Sequence, residues 1–352
     1  MKKRALVFAL AGMMVVSSLT GCGSSFDGDA VAITVGEDEV TADVANFYAR
    51  YTQAQYETYY GSYLGDDMWN TEASEGQTYE EFVKASVQEA LEVMVLSEQH
   101  AEEYDAVLTD AEKEMVAKAV QEFSDGNTQE DKEKVSGDDE TVERVMTLLA
   151  VNEKVMNAVK AGADTEVSDD EAAQKSMMYV RYDYESYDED GNTVTVTDDE
   201  KAELQNSAKE LSDAAKAGED FEALAEEQEL TANTVAFDSE TTTYDAELIA
   251  AADALDEGEV SDVIETETAC YVVKLVSLFD KDATESKKDK IVSERQTELY
   301  NEVTAEWIEE AEIEVNEDVW ATIDFNALSV SIVTDESDPY SDDVETDDVA
   351  EE

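Results

Sequence analysis

Hydrophobic and polar positions along the chain sort into a helical beginning, a mixed middle and a helical end. Val31 to Val40 alternates and turns at Gly36-Glu37-Asp38, which predicts a short hairpin. Thr41 then caps a helix to about Tyr60, with Val44, Phe47, Tyr48 and Tyr51 on one face. Gly61 to Thr78 reads as an irregular, tyrosine-bearing connection. The strongest helix is Tyr79 to Tyr104, where Phe82, Val87, Ala90, Leu91, Met94 and Val95 recur at helical spacing. Thr109-Asp110-Ala111-Glu112 is a capping box opening a helix to about Phe123. Ser124 to Asp139 is polar and predicts a loop, and Thr141 to Lys160 another amphipathic helix.

Ser168-Asp169-Asp170-Glu171 is a further capping box, and the pattern changes after it. Lys175 to Tyr184 is an apolar and aromatic strand. Asp190-Gly191 predicts a hairpin turn, with Asn192 to Thr197 as the returning strand. The acidic run here could suggest a calcium loop. That frame puts Ser186 and Thr197 where Asp and Glu are required, so the hairpin is preferred and no metal is expected. Helices follow from Thr197 to about Ala217, from Asp220 to Gln228 and from Ala246 to Leu255. Strands are predicted at Thr234–Phe237 and Cys270–Phe279. Glu285 to Ile313 is a long polar helix, followed by an apolar thread of Val315, Val319, Trp320, Ile323 and Phe325.

The N-terminus has the form of a targeting segment. Lys2, Lys3 and Arg4 precede an apolar run from Ala5 to Val16, and Leu19-Thr20-Gly21-Cys22 resembles a bacterial lipobox. The resemblance implies that Cys22 becomes the first mature residue and carries lipid. Loss of residues 1–21 removes three positive charges and no acid, taking the formal net charge from −67 to −70. Such a balance excludes a nucleic-acid-binding surface. It also opposes adsorption to an anionic membrane, leaving lipid as the anchor. Cys270 is then a lone thiol, read as a small buried apolar residue. His100, the one histidine, is read as a solvated residue at a helix end.

The most specific signal lies between Gly218 and Leu275. GEDFEALAEEQEL and then ALDEGEVSDVIETETACYVVKL resemble the parvulin, or PpiC-type, peptidyl-prolyl isomerase domain. The flanking helices resemble PrsA/SurA-type foldases. There the two chain ends form one helical chaperone domain around an inserted isomerase. The implied fold is α+β: a discontinuous, mostly helical domain with an inserted small antiparallel sheet packed by helices. The expected boundaries are a leader at 1–21, a tether at 22–30 and the N-terminal helical domain at 31–170. A parvulin-like domain at 171–280, a C-terminal helical segment at 281–330 and an acidic tail at 331–352 complete the layout.

Carried over by position, the resemblance puts the family's two groove histidines at Met177 and Tyr271. The glycine-rich strand falls on a run ending Asn233-Thr234-Val235-Ala236-Phe237, without its glycines, and the apolar grip on Tyr244, Leu248 and Phe237. No cofactor is implied. The partners would be unfolded or newly translocated polypeptides, with the membrane reached through Cys22. Two outcomes stay open for the groove: an isomerase with altered chemistry, or a parvulin fold kept as a holdase module. A surface adhesion or binding lipoprotein is the alternative from another class.

Overall fold

The computed structural model describes residues 14–18, 26–65, 67–74, 76–187 and 193–332. It divides into two compact units. One takes the residues up to Ala163 together with those from Gln296 onward, and the other is Asp164–Arg295. The expected edges of the inserted domain, 171 and 280, therefore fall inside the second unit. Arg295 explains the wider limits, since it donates to Glu166 O at 3.1 Å and also pairs with Glu171.

The first unit begins with β1 (Met14–Ser18), β2 (Val31–Val35) and β3 (Asp38–Thr41). Strands β2 and β3 form the expected hairpin, turning at Gly36, whose φ of 64° suits a residue without Cβ. Thr41 caps α1 (Ala42–Leu64), which runs one turn further than the pattern predicts. A 3₁₀ turn (Met68–Asn70) and the short pair β4 (Glu72–Ser74) and β5 (Gln77–Thr78) give order to the expected irregular connection. Helices α2 (Tyr79–His100) and α3 (Asp110–Gly126) both start in full capping boxes, at Thr78 with Glu81 and at Thr109 with Glu112. On α2 the core position belongs to Val83, while Phe82 is exposed. The predicted loop at Ser124–Asp139 contains α4 (Gln129–Lys134), which buries no side chain and so leaves no apolar period to read. Thr128 caps it, and a Glu130–Lys134 pair at i,i+4 supports it. Helix α5 (Asp139–Lys160) packs on α1, α2 and α3, and the core runs through Phe47, Leu91, Phe123, Met146 and Leu148.

The second unit opens with the single turn α6 (Asp169–Ala172), capped by Ser168. Then come β6 (Lys175–Asp183), β7 (Glu185–Tyr187) and β8 (Thr193–Thr195). Strand β8, the predicted returning strand, pairs with the short β7 and not with the preceding Lys175–Tyr184 strand, and the Asp190-Gly191 turn lies outside the described residues. Next are α7 (Asp198–Lys216), α8 (Phe221–Glu227), β9 (Asn233–Phe237), α9 (Ala246–Asp253), β10 (Ile264–Glu265) and β11 (Ala269–Ser277). The sheet runs β10-β11-β6-β9, antiparallel throughout. Alternation sorts its two faces. Val180, Tyr182, Cys270 and Val272 pack with α7 and α8. Met177, Tyr271, Val273 and Leu275 pack with α9.

Helix α10 (Lys281–Glu310) contributes its residues to Arg295 to the second unit and the rest to the first. The chain end is not wholly helical. Strand β12 (Ile313–Val315) adds to β2, then come α11 (Glu317–Trp320) and β13 (Leu328–Ile332), which pairs with β1. Trp320, Ile323 and Phe325 are buried in the first unit's core. Each such burial contributes about 1.5–3 kcal/mol. The single histidine is not simply solvated. His100 stacks on Trp307 with ring centroids 4.3 Å apart, and its Nδ1 lies 3.1 Å from Glu103.

Candidate functional site

The residues of the Gly218–Leu275 signature build backbone geometry. Gly218 has φ 100° just past the end of α7, and Glu219 N–H returns to Ala214 O at 3.2 Å to close that helix. Asp220 caps α8 by accepting from Ala223 N–H at 2.9 Å, and Phe221 is buried against α7. The Gly-Glu-Val-Ser turn has a similar logic. Gly258 has φ 84° and donates to Leu275 O at 2.8 Å, while Leu275 donates to Glu259 O at 2.9 Å. Ser261 Oγ accepts from Val273 N–H at 2.9 Å, and Ser212 Oγ donates to Ser261 O at 2.7 Å. The motif thus lines the edge of β11 and joins it to α7.

The face of the sheet toward α9 holds the groove positions. Met177 is fully buried between Leu275 of β11 and Val235 of β9. Phe237 and Leu248 are also fully buried. Their expected place in a substrate wall is corrected to the core, because Leu248 is on the buried side of α9 and packs in one cluster with Phe237 and the sheet residues beneath it. Tyr244 is half-buried and Asn233 exposed at the sheet edge, where its amide donates to Thr231 O at 3.3 Å. Tyr271 is almost fully buried, and its hydroxyl donates to Asp245 Oδ2 at 2.7 Å. Burial first, and then that bond, push the Tyr271 hydroxyl above its ordinary value of 10.0. Asp245 stands at the N-cap of α9 but caps nothing with its side chain, which serves Tyr271 instead.

The sequence reading missed Tyr179, Arg181 and Asp245. Tyr179 lies two residues along β6 from Met177, hence on the same face, and this alternation was available in KSMMYVRYDY. Its ring centroid is 5.9 Å from that of Tyr244 and 6.0 Å from that of Tyr271, both edge-on. Arg181 lies over the Tyr271 ring at 5.8 Å and pairs with Asp183 at 2.7 Å. The structure therefore brings Tyr179, Tyr244 and Tyr271 together as one aromatic wall. Asn233 joins it as the cross-strand partner of Tyr179.

Such a wall can grip apolar or prolyl side chains. It offers little at the histidine positions. Met177 has no polar group exposed, and the single proton of Tyr271 is committed to Asp245. The Tyr179 and Tyr244 hydroxyls have no hydrogen-bond partner among the described residues. Cys270 faces α7 on the opposite side of the sheet, fully buried, and burial raises its thiol pKa. Among the described residues no cluster of His, Cys, Asp and Glu is arranged to hold a metal ion.

Comparison with known proteins bears on this unit directly. Residues 179–287 match the family model described as the PPIC-type PPIASE domain. The second unit carries a PPIC-type domain. No curated protein sequence matches the chain. Among solved structures, the chain is similar to the foldase protein PrsA from Streptococcus pneumoniae, at 22% identity and a TM-score of 0.32. That match covers 73% of this chain and 99% of that one. PrsA from Lactococcus lactis matches at 18% identity and a TM-score of 0.33, over 83% of this chain and 97% of that one. A SurA-like chaperone of Campylobacter jejuni matches at 12% identity and a TM-score of 0.29, over 82% and 99%. Within the PPIC-type domain, the parts that match the sequence signature are thus cap, turn and sheet-edge residues. The polar residues placed at the groove positions are the three tyrosines, Asn233, Arg181 and Asp245.

Proposed function

We propose that this protein is an extracytoplasmic, lipid-anchored foldase that holds unfolded polypeptides, with little isomerase catalysis in its PPIC-type domain. The observation that carries the reading is the pairing of a PPIC-type match with a groove whose two expected histidine positions are occupied by Met177 and Tyr271. Twisting a prolyl amide meets a barrier of about 18–20 kcal/mol. Lowering it takes polar groups poised for the twisted form. Buried Met177 cannot supply one, and Tyr271 would first have to leave Asp245. An aromatic wall still binds apolar segments, so holding survives where catalysis does not.

The anchor is supported by Lys2, Lys3 and Arg4, the apolar run and Leu19-Thr20-Gly21-Cys22. Cys22 lies outside the described residues. No helix among the described residues is long and apolar enough to cross a membrane. A net charge of −67 fits a client-holding surface that stays soluble and turns nucleic acid away. A second reading, an isomerase with altered chemistry, draws on the half-buried Tyr179 and Tyr244, whose hydroxyls could donate to a client carbonyl. Aggregation of a chemically unfolded client, followed by light scattering with and without the processed chain, tests holding. Suppression at stoichiometric protein is expected, and unchanged scattering would overturn the foldase reading.

A further inference from the structure

Strand β1 lies within the segment that the lipobox reading removes, and it occupies a particular place. It pairs antiparallel with β13 in a two-stranded sheet, Met14 opposite Ile332 and Ser18 opposite Leu328. The far side of β13 is held by α1. Val330 N–H donates to Glu57 Oε2 at 2.9 Å and Ile332 N–H to Thr58 Oγ1 at 2.9 Å, while Leu328 O accepts from Gln53 at 2.6 Å. Backbone groups alternate sides along a strand. The N–H and C=O of Ser329 and Ser331 therefore face β1, and they lose their partners when β1 leaves.

Side-chain surface is uncovered at the same place. Met14 is buried in the first unit's core and Val16 packs against it, each opposite an apolar residue of β13. Ser329 and Ser331, on the alternate face, line a cavity of about 520 Å³ with Met68, Trp69 and Phe325. An open strand edge beside an aromatic cavity is the arrangement used in recognition by strand addition. There the backbone bonds supply affinity and alternate side chains fill pockets.

We propose that the β13 edge is a peptide-binding site, closed by the leader strand before processing and opened by its removal. Its occupant is an extended segment of an unfolded polypeptide, apolar at alternate positions and without acidic residues. The leader's own Met14 and Val16 show the side chains that fit, and the strongly acidic chain disfavours further negative charge. The proposal rests on the lipoprotein reading for how the edge becomes free and deepens the foldase reading by naming where a client binds.

The test uses residues 22–352 with Cys22→Ser, the full chain, and a fluorescent peptide of residues 12–20 as probe. Saturable anisotropy is expected with residues 22–352, and at least tenfold weaker binding with the full chain. Methylating the peptide nitrogens of Val15 and Ser17, which face the edge, should weaken binding at least tenfold. Methylation at Val16 alone should change it less than threefold. Amide exchange at Ser329 and Ser331 should slow on binding, with Val330 and Ile332 unchanged. Should the shortened chain not fold, Val15→Pro in the full chain frees the same edge and should gain binding, and adding Ser331→Pro should remove it.

Absence of binding in both opened forms would overturn the proposal, as would equal binding of the peptide methylated at Val15 and Ser17. Dimerisation of residues 22–352 with Ser329 and Ser331 protected would assign the edge to a second copy instead, and overturn it too. Light scattering and the N-terminal mass of the exported chain report the foldase and lipoprotein readings separately. Failure at β13 is thus distinguishable from failure of either.

Discussion

Tyr271 donates its hydroxyl proton to Asp245 across 2.7 Å, joining β11 to the N-terminus of α9. The bond closes the polar side of an otherwise aromatic and aliphatic face. A hydrogen bond to a charged acceptor contributes about 1.5–3 kcal/mol, and here Asp245 keeps some access to water. Tyr271→Phe should destabilise the PPIC-type domain by about 1–2 kcal/mol. Denaturant unfolding of the full chain, followed in that unit by amide exchange, measures this.

The same hydroxyl gives an alkaline signature. Its folded pKa is raised above the unfolded value of 10.0, by burial and then by Asp245. Such a group contributes stability that is fully present below pH 10 and is lost as pH rises from there toward the folded value. Tyr182 and Tyr184 are raised as well, chiefly by burial. The PPIC-type domain should therefore lose stability above about pH 10, with a shallower slope in Tyr271→Phe. Unfolding titrations between pH 8 and 11, with phenolate absorbance as the second probe, check the sign.

Asp238 behaves in the opposite sense. Burial alone would raise its pKa, but bonds from Gln174, Glu240 N–H, Lys287 and Thr241 outweigh that and lower it to about 2. Those bonds tie the end of β9 to the start of β6 and to α10. Stability from a depressed carboxylate is present above its unfolded value of 3.8 and lost as pH falls through about 2. Asp238→Asn should cost about 1–2 kcal/mol at neutral pH and flatten the acid slope between pH 4 and 2, read by chemical unfolding.

Gly258→Ala isolates backbone strain from crowding. A Cβ there meets nothing within 4 Å, yet φ is 84°. The cost should be about 1–2 kcal/mol, and Gly258→Asn should cost less because Asn tolerates positive φ. Thermal unfolding of the three chains ranks them.

Glu57 is the anchor of the chain's return. Its carboxylate accepts from Gln53, Trp69 Nε1, Ser329 Oγ and Val330 N–H at 2.6–2.9 Å. Glu57→Ala leaves these donors short of partners and should cost about 3 kcal/mol or more. Faster exchange at Val330 and Ile332, compared with the parent chain, checks that the loss falls on β13.

Much of this was legible in the sequence where the physics is local. Thr41, Thr109, Ser168 and Thr197 all cap helices as read, and a cap needs only its next three residues. Gly218 and Gly258 likewise mark turns wherever they lie. What escaped depends on distant partners. Asn46, Arg50, Gln53 and Glu57 sit on one face of α1 and read as ordinary polar positions. Arg50 and Gln53 are buried, donating to Asp324 O and Phe325 O from the other end of the chain. Burial lowers the Arg50 pKa to about 10, with Asp324, Glu80 and Glu57 opposing, so it stays charged. Strand β12 was hidden for the same reason, since a three-residue strand becomes visible only beside β2. At the groove, position alone put Phe237 and Leu248 in a wall, and only the placement of α9 over the sheet shows that they are core.

Prolyl cis–trans exchange of an Xaa-Pro peptide, measured by NMR with residues 22–352 at concentrations that bind it, decides most directly whether the tyrosine wall holds or catalyses. Holding without catalysis predicts saturable binding with an exchange rate within about twofold of the uncatalysed one, which runs over tens to hundreds of seconds. Acceleration of tenfold or more, reduced by Tyr179→Phe or Tyr244→Phe, would contradict it and assign the tyrosine wall to catalysis.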